Sequence, residues 1–253
     1  VGVVFKWILI PALIVMVSND VATAKTFAED QQRFPRVREA RVETQAIRDS
    51  LTEKIGIANP PQRIFIRAFK SEQILELWAD SSGKYKLLAS WPFTAYCGTL
   101  GPKRRQGDLQ IPEGVYHVDR FNPASNFHLS LGTNYPNKSD RIRKSGNDAG
   151  GDIFIHGNRV TIGCIPLGDE VIKILYVFAV DAKSSGQANI PVHIFPCRMD
   201  NEANQKMLVR GGKSNADAKR LWKELRPIYD HFEQHRKLPT VKINSSGVYY
   251  IPK

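Results

Sequence analysis

The sequence predicts a mainly β, α+β fold, and three observations predict it. Between residues 61 and 200, short apolar runs are separated by clusters of Gly, Pro, Asn, Asp and Ser, the pattern of strands joined by turns and loops. On both sides of that stretch apolar residues recur at helical spacing instead. The composition, 42% hydrophobic and 24% charged, supplies enough apolar surface for a core and excludes wholesale disorder. The expected architecture is a β-rich core flanked by helices at both termini.

The elements follow in order. Within residues 1–24, Lys6 precedes an uncharged run from Trp7 to Val17, and Ala22-Thr23-Ala24 supplies the small-residue pattern of an export signal. The run is shorter than the ~20 residues of a membrane span. The expectation is a signal peptide cleaved near Ala24 or, as the alternative, an uncleaved anchor in the inner membrane. Residues 25–60 read as a helical segment in which Val37, Ala40, Ile47, Leu51 and Ile55 share one face and Pro60-Pro61 marks the end. Strands are expected at 63–69, 74–78 and 85–91, the last two joined across Asp80-Ser81-Ser82-Gly83. Residues 98–114 form a Gly/Pro/basic loop. Strands at 115–118, 127–131 and 153–155 follow, with a long polar loop over 132–151. A helix over 169–180 and a strand over 191–196 complete a domain assigned to 61–200. Residues 201–253 read as a helical extension whose stripe of Leu221, Trp222, Leu225, Ile228, Tyr229 and Phe232 packs on that domain. Pro227 is expected to kink or split its helix, and 247–251 is a candidate final strand.

Charge and cysteine count narrow the classes of function. Lys and Arg number 36 against 25 Asp and Glu, a formal net charge of +11. Such a surface suits nucleic acid, an anionic membrane or an acidic polymer. Its longest basic run is only Lys103-Arg104-Arg105. No recognition helix, zinc finger or RNA-binding signature accompanies it, so nucleic acid is not the expected partner. Three cysteines exclude a disulfide-dense scaffold, and the odd count leaves at least one thiol unpaired. A Cys97–Cys197 pair would leave Cys164 free, but connectivity is not readable from sequence.

Gly151 to Pro166 is the chemically informative stretch. Strand-like Ile153-Phe154-Ile155 delivers His156, and a short return loop ends at Gly163-Cys164. Such a return brings imidazole and thiol together and favours a thiolate–imidazolium pair with a lowered thiol pKa. Gly163 permits close backbone approach, and the Gly163 and Cys164 amides are candidate oxyanion donors. Two other readings use the same residues. One is an inert cysteine beside a structural histidine. The other is zinc held by His156, Cys164, His193 and Cys197, for which the chain lacks ligand spacing such as C-x-x-C. No metal and no organic cofactor is expected. His117 and His128 are read as structural or exposed.

Ile155-His156-Gly157 followed by Thr161-Ile162-Gly163-Cys164 resembles the signature of the YkuD-type L,D-transpeptidases, bacterial enzymes that remodel peptidoglycan. The usual pattern of that family is His-Gly or His-Ser, a longer insert, then Ser/Thr-His-Gly-Cys. Here the insert is short and Ile162 replaces the second histidine. Both departures resemble the murein L,D-transpeptidase-like branch of Gram-negative bacteria, which includes an amidase that releases a covalently attached outer-membrane lipoprotein. Gly98-Thr99-Leu100-Gly101-Pro102-Lys103, Gly107-Asp108 and Pro112-Glu113-Gly114-Val115-Tyr116 are similar to that branch's loop before the catalytic strand. Asn134-Tyr135-Pro136 and Asp140 are similar to the loop that follows it.

The resemblance covers about 63–200 and implies an L,D-transpeptidase-like mixed β-sheet or sandwich. It implies Cys164 as nucleophile, His156 as base, Gly163 and Cys164 as oxyanion donors, Gly157 orienting the imidazole through its carbonyl, and Thr161 positioning the loop. Lys103 and Arg104 are candidates for stem-peptide carboxylates, with a solvated loop as the equal alternative. Tyr135 either lines the cleft or packs under the long loop. The implied reaction forms a thioester between Cys164 and a diaminopimelate carbonyl, then transfers the acyl group to an amine or to water. The implied partners are peptidoglycan stem peptides and, on the amidase reading, an attached lipoprotein; the implied location is the periplasm. A non-catalytic peptidoglycan-binding module is the alternative of another class, which retention of both His156 and Cys164 disfavours.

Overall fold

The structure, a computed structural model, describes residues 25–252 together with Gly2. The expected export signal or anchor at 1–24 therefore falls outside the described residues. Three short helices come first: α1 (Phe27–Gln31), α2 (Pro35–Glu43) and α3 (Gln45–Lys54). Strands β1 (Ile64–Phe69), β2 (Ile74–Ser81) and β3 (Lys84–Pro92) form an antiparallel meander. Then come β4 (Gly114–Asn122), β5 (Ser130–Thr133), α4 (Lys138–Arg143), β6 (Phe154–His156) and β7 (Ile165–Pro166). Helix α5 (Asp169–Ser184) and β8 (Pro191–Phe195) precede α6 (Glu202–Ser214), α7 (Ala216–His235), β9 (Lys242–Ile243) and β10 (Tyr249–Tyr250).

One mixed sheet of eight strands runs in the order β3-β2-β1-β8-β4-β5-β6-β7. The late strand β8 inserts between β1, to which it is parallel, and β4, to which it is antiparallel. It thereby ties the meander to the half that carries His156. Both faces of the sheet are covered, which explains why every residue of β1 is buried. Ile64, Ile66 and Ala68 pack in one cluster with the α5 residues Ile172, Leu175 and Ala179. Phe65 and Phe69, pointing to the opposite face, join clusters built on α7. Arg67 on that second face is buried but paired with Glu76 at 2.8 Å and Glu233 at 2.6 Å, as a desolvated charge requires.

Several expectations are corrected. The helical segment expected over 25–60 is three helices. Pro35 begins α2, where its missing N–H costs nothing, and a non-helical Thr44 ends it. The break rotates α3, so Ile47 is 49% exposed while Val37 and Ala40 stay buried. Helix α7 runs through Pro227 without a split. Pro227 and Lys223 are exposed, so the carbonyl that loses its partner faces solvent. The expected strand at 127–131 begins only at Ser130, because His128 adopts φ 68°. The 132–151 loop contains α4, started by a capping box of Asn137 and Asp140. Cys97, Cys164 and Cys197 are all free thiols, so Cys97 and Cys197 do not pair. Cys197 is buried with Phe69, Phe195 and Trp222, whereas Cys97 lies 3.8 Å from the Thr161 hydroxyl. No helix among the described residues is long and apolar enough to cross a membrane.

Candidate active site

Two strand pairings place the thiol and the imidazole. β6 pairs antiparallel with β5, setting Ser130 opposite His156, and parallel with β7, setting Ile155 opposite Ile165. Cys164 immediately precedes β7, so it comes to rest beside Phe154, whose amide donates to Cys164 Sγ at 3.4 Å. Within the return loop, Thr161 Oγ1 donates to the Cys164 carbonyl at 2.7 Å and accepts from the Gly163 N–H at 3.0 Å. Asn158 N–H donates to Asp169 Oδ1 at 2.7 Å, fastening the loop to the start of α5. Glycine is required at 157, where a Cβ would come within 2.5 Å of Asp169 Oδ1 and 2.7 Å of the Phe127 carbonyl. At Gly163, φ is +141° and a Cβ would lie 3.0 Å from the Gln110 carbonyl.

His156 is 1% exposed. Its Nδ1 faces the carbonyl of Gly157. With the proton on Nδ1 donated there, Nε2 is the basic nitrogen. The Phe127 ring leans on the imidazole with centroids 4.7 Å apart. Burial lowers the His156 pKa from its ordinary value, partly offset by the Gly157 carbonyl. Burial pushes the Cys164 thiol up, and Cys97 and Asp152 add to this; the Phe154 N–H and the Lys103 ammonium act in the opposite sense. Both shifts favour neutral forms. Both directions run against the expected low-pKa thiolate.

His156 and Cys164 open on a cleft of about 460 Å³ walled in part by Phe127, Ser130, Asp152, Phe154, Val160 and Ile162. Ile162 is 78% exposed and Val160 53%, giving the cleft an apolar lip. A hollow of similar size, about 480 Å³, lies between Gly56–Arg63 and Asp80–Gly83 and is lined by neither cysteine nor histidine.

The other anticipated residues sit elsewhere. The Lys103 ammonium is buried, bonded to Asp108 Oδ1 at 2.6 Å and the Arg105 carbonyl at 3.0 Å. Arg104 pairs with Asp217 at 2.7 Å and Asp140 at 3.4 Å. Tyr135 is buried and donates to the Ala149 carbonyl at 2.8 Å, packed under the loop. None of the three lines the cleft, because charges and hydroxyls taken out of water spend their donors on internal partners. The Gly163 N–H is likewise committed, to Thr161, which leaves the Cys164 amide as the remaining candidate oxyanion donor of the two. The four residues of the zinc alternative are divided: His156 and Cys164 line the cleft, His193 and Cys197 lie in the core. Among the described residues no three His, Cys, Asp or Glu side chains converge as metal ligands.

The sequence reading missed Phe127, Ser130, Asp152 and the neighbouring Arg120. The strand pattern over 127–131 was a legible signal for Phe127 and Ser130, but nothing local tied it to His156.

Residues 61–194 match the family model described as the L,D-transpeptidase catalytic domain, YkuD. The putative L,D-transpeptidase YafK of Escherichia coli K12 is 38% identical over 192 residues, 75% of this chain and 74% of that protein. A looser structural likeness, TM-score 0.43 at 19% identity over 78% of this chain and 80% of the other, relates it to the helical cell shape determining protein Pgp2 of Campylobacter jejuni. The family match and the Escherichia coli relative show that the chain belongs to the YkuD family of L,D-transpeptidase catalytic domains and is an L,D-transpeptidase-family enzyme.

Proposed function

We propose that this protein is a cell-envelope acyltransferase in which Cys164 forms a thioester with the diaminopimelate carbonyl of a peptidoglycan stem peptide. The observation that carries the reading is one cleft shared by a thiol and an imidazole whose Nδ1 is pinned by the Gly157 carbonyl. In the proposed first step Nε2 takes the thiol proton as Sγ attacks the carbonyl carbon. The Cys164 N–H faces the oxyanion. The imidazolium then protonates the leaving amine and the thioester remains. Because burial favours the neutral form of both groups, proton transfer in this reading accompanies attack rather than preceding it. In the second step Nε2 deprotonates an amine or water as it attacks the thioester carbonyl; the C–Sγ bond breaks and Sγ regains the proton from the imidazolium, giving a cross-link or hydrolysis.

Hydrolytic release of an attached lipoprotein is the second reading. The short loop supports it: Ile162 stands out in solvent at the cleft mouth. On either reading residues 1–24 direct export to the periplasm, 61–200 form the catalytic domain, and 25–60 and 201–253 brace it.

Incubating the protein with sacculi and with tetrapeptide muropeptides, followed by mass spectrometry, tests the proposal. A thioester mass on Cys164, absent in Cys164→Ala, is expected. New cross-links select transpeptidation and freed lipoprotein selects the amidase. Binding without adduct or product in either protein would reduce it to a binding module.

A further inference from the structure

Lys103 and Arg104 turn inward, and a different arginine, Arg120, reaches two residues of the cleft wall, Phe154 and Asp152. Four features hold Arg120 there. The register of β4 on β5 jumps between Val118 and Arg120, a bulge that re-aims the strand. Opposite it, Gly132 leaves room: a Cβ at that position would lie 2.9 Å from Arg120 Nε. The guanidinium lies over the Phe154 ring at 4.8 Å. Its Nε donates to Asp119 Oδ1 at 3.2 Å and its Nη1 to Asp152 Oδ1 at 2.7 Å. An exposed ion pair adds little to stability, so these features are not explained by folding alone.

Asp152 is equally specific in placement. It sits in the left-handed region, with φ 54°, a conformation that aspartate tolerates. Its carbonyl accepts from Cys164 Sγ at 3.5 Å. Its carboxylate is 79% exposed and forms part of the cleft wall. One residue thus touches the nucleophile through its backbone and Arg120 through its side chain.

We propose that Arg120 and Asp152 form a subsite for an amino-acid zwitterion beside Cys164, Arg120 taking the carboxylate and Asp152 the ammonium. The local charges select such a group. Arg120 stands between Asp119 and Asp152, so a simple anion entering meets two carboxylates and a simple cation meets the guanidinium. A ligand carrying both signs gives each a partner. With Nε and Nη1 engaged, Nη2 is the edge that receives a carboxylate, while the exposed Asp152 oxygens receive the ammonium. The proposal rests on the reading of Cys164 as acylated by a stem peptide, and it deepens that reading. The far end of a diaminopimelate side chain is a free amino-acid zwitterion. A lysine side chain offers the ammonium alone, and an amidated diaminopimelate lacks the carboxylate.

The test measures binding separately from chemistry. Dissociation constants of three tetrapeptide muropeptides, carrying diaminopimelate, its side-chain amide or lysine, are measured by ligand-observed NMR on the full chain with Cys164→Ala. The diaminopimelate form is expected to bind about tenfold tighter than the other two, as one charge-assisted hydrogen bond predicts. Adding Arg120→Gln is expected to weaken only that form. Asp152→Asn, which keeps a side chain tolerant of the left-handed region, is expected to weaken all three forms, since each carries the ammonium. Equal affinity for all three, equal weakening of all three by Arg120→Gln, or no binding overturns the subsite. Acylation of wild-type Cys164 is followed in parallel. Acylation without discrimination removes the subsite and keeps acyl transfer; discrimination without acylation does the reverse.

Discussion

His193 and Cys197 in the core stand against His156 and Cys164 at the cleft; burial drives all four toward neutrality, but only the second two open on a cleft. His193 lies in mid-sheet on β8, its ring 4.8 Å from that of Phe65. Burial, with Arg67 adding, drops its pKa to about 3. Cys197 just beyond that strand is fully buried, and burial pushes its thiol to about 12. His156 and Cys164 are shifted in the same directions, yet they sit at the short-strand end of the sheet and line open space. The same residue types are inert in one place and chemically available in the other. A neutral imidazole is a base only where a proton donor can reach Nε2, and a neutral thiol is a latent nucleophile only where a carbonyl can approach Sγ.

The largest expected effects contrast the two thiols. Cys164→Ala abolishes acylation by muropeptides. Cys197→Ala leaves the acylation rate unchanged and lowers stability by about 1–2 kcal/mol through the small cavity it leaves, read as a shift of the urea midpoint. Activity lost with Cys197→Ala at an unchanged fold would break the distinction between the pairs. The imidazoles come next. His156→Gln is expected to lower kcat by roughly 10²–10⁴, the usual range for a general base, whereas His193→Leu leaves kcat near wild type.

The inert pair also has a pH signature. His193 is neutral in the folded chain down to about pH 3, while in the unfolded chain it protonates near its ordinary value of about 6.5. Between those values the unfolded state binds the extra proton, so this residue's contribution to stability is lost as pH falls from about 6.5 toward 3. His193→Leu should flatten that part of a melting-temperature profile; an unchanged acid slope would show that other groups govern it. At the active pair, the lowered His156 pKa places the acid limb of kcat/KM below pH 6.5. The raised thiol pKa means that iodoacetamide labelling of Cys164 keeps rising above pH 9. A labelling rate already level at pH 7 would reinstate a preformed thiolate.

Legibility followed sequence distance. The strands of the meander show as alternating runs, and α7 shows as a stripe, because each pattern is local. β7, with two residues, carries no periodicity to read. His156 and Cys164 stand out because one short loop joins them. Lys103 and Arg104 suggested ligand contact because their partners are scattered: Asp108 is near, but Asp140 and Asp217 come from α4 and α7. Arg120 escaped notice for the converse reason. Its placement depends on a bulge and on Gly132 across the strand pair, features that exist only after β4 and β5 have paired.

The smallest expected effect concerns the loop that the active pair has and the buried pair lacks. Thr161 Oγ1 holds both ends of a tight turn, accepting from the Gly163 N–H and donating to the Cys164 carbonyl. Thr161→Val keeps the shape of the side chain and removes both bonds, while Thr161→Ser retains the hydroxyl. If the turn's work is to hold Sγ against the Phe154 amide, Val lowers kcat several-fold, about tenfold at most for hydrogen bonds of ~1 kcal/mol each, and Ser restores it. The same substitution frees the Gly163 N–H. Should that amide then turn toward the oxyanion, kcat would rise instead, because an added donor there stabilises the transition state more than the ground state. A fall with Val and recovery with Ser would assign Thr161 to fixing the nucleophile; a rise would show that the turn holds back an oxyanion donor.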